Sequence, residues 1–205
     1  EVGVDVTSDA ETRVIADKWG STHNTIIQEL LKESPETVYD ACKAYLDYIE
    51  ENYIERVEPI EGSVQLLGRL ASKHTLALAT AAEPSVLSRT LSRFEIPEGT
   101  FSQIITSYDV DPTRVKPDPF TLYEIMKRTS KTKPQTLMVG DSTPDVLMAQ
   151  KAGVDVAVVL TGHIGKNLEQ IVELGVDEKS IIEDVTQVED VISRLSPKPK
   201  NTVLH

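Results

Sequence analysis

Over about the first 55 residues, apolar side chains recur mainly every three to four positions and form no convincing strand. The stretch "DAETRVIADKWG" predicts a short helix ending at Gly20, because glycine takes the left-handed conformation past a helix end. "THNTIIQELLKE" sets Ile26, Ile27, Leu30 and Leu31 on one helical face. "SPETVYDACKAYLDYIEENYIE" opens with Ser34 as N-cap and Pro35 in the first helical position. Val38, Ala41, Cys42, Tyr45, Leu46 and Ile49 then keep the helical period.

After "VEPIEG" the texture changes. Amphipathic stretches "EGSVQLLGRLAS", "PSVLSRTLSRF", "PFTLYEIMKRTS" and "PDVLMAQKAG" alternate with short apolar runs "TLALAT", "FSQIITS", "TLMVG" and "DVAVVLTG". Helices "NLEQIVELG" and "VTQVEDVISRL" follow, with the apolar run "SII" between them. Strands alternating with helices imply right-handed crossovers and a parallel sheet covered on both faces. The pattern predicts an α/β protein: a Rossmann-like parallel sheet flanked by helices, preceded by a small all-helical module. The turn Pro59–Gly62 marks the expected boundary, with residues 1–58 as the module and 59–205 as the sheet domain.

Composition narrows the class without naming a function. The 205 residues are 40% hydrophobic and 26% charged, as in ordinary soluble proteins. No apolar run approaches the roughly 18 residues of a membrane span, so no membrane partner is expected. The acidic start "EVGVDVTSDAETR" does not read as a signal peptide. Cys42 is the only cysteine, which excludes an internal disulfide and a cysteine metal cage, and these traits favour the cytoplasm. A net charge of −12 repels phosphate backbones and argues against nucleic acid. The basic tail "SPKPKN" reads as a solvated terminus. A monomer or homodimer is expected. An acidic protein still binds a small anion where a metal ion and a lysine reverse the sign locally.

In open parallel sheets, ligands bind at the carboxyl ends of the strands. Those ends carry Thr80 after "LALA", Lys116 in "VKPDP", Asp141 and Asp145 in "VGDSTPD", and Thr161 and Gly162 after "VAVVL". Taken singly, each has an ordinary reading. Thr80 serves as a helix-capping hydroxyl, Lys116 as a solvated loop lysine, Asp141 as an N-cap, and Asp145 as a first-turn acid favoured by the helix dipole. Their order at successive strand ends points instead to one site. Hydroxyl, ammonium and carboxylates together suit phosphoryl transfer, with Mg²⁺ held by one or two hard carboxylates.

From about Val57 to Ile164 the chain resembles the haloacid dehalogenase (HAD) superfamily of hydrolases, and within it the phosphoglycolate phosphatase-like members with a helical cap. "LALATAA" matches that family's second motif, "VKPDP" its third and "VGDSTPD" its fourth. The resemblance implies that Thr80 binds a phosphate oxygen and Lys116 stabilises both nucleophile and phosphoryl group. It implies that Asp141 ligates Mg²⁺ and that Asp145 ligates it or orients its waters. The implied activity is Mg²⁺-dependent hydrolysis of a small phosphorylated metabolite through an aspartyl-phosphate.

Two departures stand out. The family's first motif, an apolar strand ending Asp-x-Asp, has no match; "VGVDVTSD", with Asp5, Thr7 and Asp9, lacks its spacing. In the family that strand lies mid-sheet, so the resemblance implies an upstream strand and helix, without which two inner sheet edges stay unpaired. Ala81 stands where many relatives carry a polar residue, leaving only its backbone amide for substrate. In the cap, Trp19, His23 and Asn24 surround a glycine turn and are candidate substrate contacts; as ordinary residues they would be cap core and helix-start positions. A sugar phosphomutase of the same superfamily shares every motif present. A non-catalytic HAD-fold binding or regulatory protein is the other alternative. A dehalogenase needs no metal-holding acids, and a receiver domain keeps its acidic pair early in the chain, so Asp141 and Asp145 argue against both.

Overall fold

The computed structural model describes residues 13–15, 21–161 and 168–195. The helical part opens with a helical stretch at 13–15 and continues in α1, His23–Leu30, and α2, Val38–Tyr48. Thr22 caps α1, its hydroxyl accepting the Thr25 N–H at 3.2 Å. The expected cap at Ser34 takes another form. Ser34 makes no side-chain cap bond, and Pro35–Thr37 form a 3-10 turn before α2 begins. Proline lacks the N–H of a helix interior and fits this first turn. Past Tyr48 the helix widens into a π-helical turn, Ile49–Tyr53, and Ile54 is buried to 1% exposure.

The sheet domain follows the expected alternation: α3 (Ser63–Ala71), β1 (Ala77–Thr80), α4 (Pro84–Arg93), β2 (Gln103–Thr106), α5 (Phe120–Thr129) and β3 (Leu137–Gly140). It continues with α6 (Thr143–Ala152), β4 (Asp155–Val159), α7 (Leu168–Glu173), β5 (Ile181–Ile182) and α8 (Val188–Leu195). α6 stops where the sequence places its stop: Gly153 sits at φ 69°, and Val154 N–H returns to the Ala149 carbonyl at 3.1 Å.

Helices cover both faces, because β4 sends alternate side chains to opposite sides. Ala157 and Val159 meet Leu66 and Leu70 of α3 and Val188 and Val191 of α8. On the other side Val156 faces the cluster of Leu122, Met126, Met138 and Met148 from α5, β3 and α6.

All pairings are parallel, but the strands fall into two sheets, β1–β2 and β3–β4–β5, rather than one. β1 and β3 share no ladder. Between them lies a cavity of about 550 Å³, lined by Leu76, Leu78, Leu137 and Val139 and closed by Leu66 and Leu122 from the covering helices. The two strands run in the same sense. Leu76 and Leu137 pack on one cluster near their starts, and near their ends Ala79 and Asp145 bond to a shared lysine.

Met148 is 0% exposed, so Met148→Ala should cost about 2–5 kcal/mol in urea denaturation. Tyr39 is 77% exposed, and Tyr39→Ala should stay within about 0.5 kcal/mol.

Candidate active site

Thr80 ends β1, half-buried, and its hydroxyl accepts the Ala82 N–H at 3.1 Å. Its carbonyl accepts the Ser107 N–H at 2.9 Å, which ties the end of β1 to the end of β2. The helix that follows is capped by Glu83, whose carboxylate accepts the Ser85 and Val86 N–H groups at 2.7 and 3.1 Å. Thr80 is therefore not the helix cap, and its hydroxyl shapes the turn at Ala81 and Ala82.

Lys116 reaches inward from the loop after β2. Its Nζ donates to the Ala79 carbonyl and to Asp145 Oδ1, each at 2.8 Å. The side chain is only 12% exposed and that of Asp145 6%, so the pair is largely removed from solvent. Asp145 Oδ2 accepts the Ser142 hydroxyl at 2.6 Å and the Asp141 N–H at 3.3 Å. Both carboxylate oxygens are thus engaged, which answers the cost of burying the charge.

Gly140 makes this approach feasible. A β-carbon there would lie 2.7 Å from Asp145 Cγ and 2.8 Å from Oδ2, and closer still to its Cβ. Only glycine lets the strand end pass under the carboxylate. The N-cap of α6 is Ser142 rather than Asp141, while Asp145 takes the first turn as the dipole favours.

The loop that delivers Lys116 is braced along its length. Asp109 accepts the Thr106 N–H at 2.7 Å and its hydroxyl at 2.8 Å, and these bonds hold its carboxyl below the usual range. Asp111 accepts from the Thr113 N–H and hydroxyl, and Arg114 lies 3.7 Å over the Phe120 ring. The Lys116–Pro117 peptide is cis.

The structure brings Thr80, Lys116, Asp141 and Asp145 to one edge, where Asp141 also lines the cavity between β1 and β3. Ala81 lies half-buried between Thr80 and Ala82, and Thr161 is exposed at the end of β4. Asn24 is half-buried on α1. His23 meets Tyr108, a residue that spacing alone did not mark, at 2.8 Å. Trp19, Gly162, Asp5, Thr7 and Asp9 lie outside the described residues.

A magnesium ion takes hard oxygen donors and keeps several waters. Asp141, half-buried at the strand end, and Asp145 fit that ion in kind. Among the described residues no group of three or more His, Cys, Asp or Glu could hold a metal, and every buried side-chain polar atom has a hydrogen-bond partner. The donor set is therefore carboxylate-poor, and Asp145 is already committed to Lys116 and Ser142.

Lys116→Met strands the Asp145 charge and should cost about 3 kcal/mol in urea denaturation. Adding Asp145→Asn should recover most of that loss; a double variant that falls by the sum of the singles would show that the pair is not coupled. Gly140→Ala should cost about 1–3 kcal/mol by overpacking against Asp145.

The family model described as "Haloacid dehalogenase-like hydrolase" matches residues 5–159. A pyrophosphatase, PpaX, from Halalkalibacterium halodurans is 32% identical over 126 residues, 61% of this chain and 57% of that protein. A phosphoglycolate phosphatase from Pseudomonas fluorescens is 35% identical over 88 residues, 43% of this chain and 31% of that protein. The matched stretches thus span about half or less of either relative. A solved structure of a putative beta-phosphoglucomutase from Thermotoga maritima superposes with a TM-score of 0.68 at 20% identity, covering 94% of this chain and 86% of that one. The family model spans well over half of the sequence: the chain belongs to the haloacid dehalogenase-like hydrolase family.

Proposed function

We propose that this chain is the phosphate-handling part of a Mg²⁺-dependent phosphoric monoester hydrolase acting on a small phosphorylated metabolite. The observation that carries the reading is the buried Lys116–Asp145 pair, bonded to the Ala79 carbonyl before Thr80 and to the Asp141 N–H. The Lys116 ammonium offers a preorganised positive charge to phosphate oxygens, which is the usual source of catalysis in phosphoryl transfer. The Thr80 hydroxyl and the Ala81 amide donate to the remaining oxygens. Mg²⁺, when held by Asp141 with Asp145 beside it, supplies a divalent positive field at the same place. Asp145 keeps Lys116 aimed.

The nucleophile is placed on a strand outside residues 1–205 that seats between β1 and β3. The two facing strand edges and the apolar cavity between them support that placement. Residues 1–58 serve as a cap over the site, and substrate contacts fall to it, with Trp19, His23 and Asn24 as candidates. Among the described residues no helix is long and apolar enough to cross a membrane, and the reading includes a cytoplasmic monomer or homodimer.

Pyrophosphate and phosphoglycolate enter the substrate panel because relatives carry those names. The phosphomutase reading is favoured only by the Thermotoga neighbour, at a level of identity that speaks to fold.

Phosphate release with Mg²⁺ should be measured on that panel for residues 1–205, alone and with whatever segment precedes them in the encoding gene. The extended protein should turn over a phosphate ester and the shorter chain should not. Asp141→Ala should abolish the Mg²⁺-dependent rate, and an unchanged rate would remove the metal assignment. Lys116→Ala should lower turnover about 10²–10³-fold. An isomerised sugar phosphate without free phosphate would identify a mutase instead.

A further inference from the structure

Among the described residues, hydrogen bonds between the helical part and the sheet domain fall into two groups. One lies beside the chain connection: Arg93 of α4 donates to the Glu55 and Val57 carbonyls and pairs with Glu58 at 2.8 Å. There too Glu50 accepts the Ser85 hydroxyl at 3.1 Å and pairs with Arg89 at 3.5 Å. These contacts flank the connection, and their ion pairs are exposed and subject to salt screening.

The other group is far off in sequence. His23, the first residue of α1, has Nδ1 2.8 Å from the Tyr108 hydroxyl, 85 positions along the chain. The same imidazole stacks on Tyr45 of α2, with ring centroids 5.1 Å apart and planes 25° apart. Tyr108 sits two residues past β2, and its N–H bonds the Thr106 hydroxyl at 3.2 Å. It lies on the loop that ends in Lys116, so the bond from α1 lands on the segment that positions the site's ammonium.

We propose that His23 and Tyr108 are a clasp: they hold the helical part closed on the Lys116 loop and act as positioning residues for that lysine. The positional role rests on the phosphate-site reading above; the clasp itself does not. Two structural facts fit a reversible fastening rather than a fixed core contact. Tyr108 is 39% exposed, and the bond joins residues 85 positions apart on α1 and on the loop after β2. Both partners are uncharged near neutral pH. Burial holds His23 below its usual value although Glu83 opposes this, and burial, then Glu83, Cys42 and Tyr45, push Tyr108 up to about 12. A neutral bond resists salt where the ion pairs at the connection do not.

The test is amide hydrogen exchange on the intact chain, which needs no enzymatic activity. Tyr108→Phe and His23→Phe, which keeps the ring for stacking on Tyr45, are compared with their double variant. One net hydrogen bond shifts an opening equilibrium about 3–10-fold. Each single variant should therefore speed exchange by that factor in both the α1 amides and residues 107–116, with no further gain in the double and the same gain in 1 M NaCl. Faster exchange in α1 alone would mean that His23 only supports its own helices, and the clasp would be overturned. Unchanged exchange in Tyr108→Phe, which removes one oxygen and leaves the backbone intact, would overturn it as well. An enzyme that fails every phosphate assay while showing the paired exchange effect would count against the phosphatase reading and leave the clasp standing.

Discussion

The buried bond between Lys116 and Asp145 is the contact on which the upper edge of this domain depends. β1 and β3 belong to different sheets, so no ladder joins them. Lys116 bridges the gap, one hydrogen bond to the carbonyl of Ala79 at the end of β1 and one to the first turn of α6 just past β3. The charges are desolvated, which is costly unless every lone pair and proton finds a partner. Ser142 and the Asp141 amide complete the carboxylate, and Gly140 provides the space. Structure and chemistry thus make the same demand: a lysine fixed well enough to join two sheets is already preorganised for an incoming anion.

Much of this was legible in the chain. The alternation of amphipathic and apolar stretches from Ser63 to Leu195 carries its own period, and the helices and strands fall where that period places them. Thr80 and Asp141 could be picked out because each follows an apolar run, and Lys116 and Asp145 because they lie in the segments after such runs, where such sheets hold ligands. Relations across the chain were not legible. That Asp145 aims Lys116, that Gly140 is present for the sake of Asp145, and that Tyr108 answers His23 all depend on distances between residues that local spacing does not encode. The α-helix start at Ser34 was misplaced for a smaller reason: serine favours caps in general, but Pro35 shaped a 3-10 turn here.

The helical part is fastened by two chemically different kinds of contact. Near the connection, arginines grip backbone carbonyls and carboxylates, a flexible arrangement of long side chains. At His23 two rings and a hydroxyl meet with defined geometry. A contact of the first kind tolerates rotation, whereas one of the second kind is either made or lost. Motion of a covering module between discrete positions is the usual way such sites admit substrate and exclude water.

Among the described residues β1 and β3 face each other without a ladder, and without the strand proposed to seat there those edges have a colloidal consequence. Unpaired parallel edges bordering an apolar cavity invite pairing with extended segments of other molecules, the recurrent route to aggregation. Nothing in Leu76, Leu78 or Val139 deters that pairing. The deterrent is long-ranged: a net charge of −12 makes two copies repel before their edges meet. Added salt or a pH near the acid end would weaken that repulsion first, so solubility should fail there before the fold does.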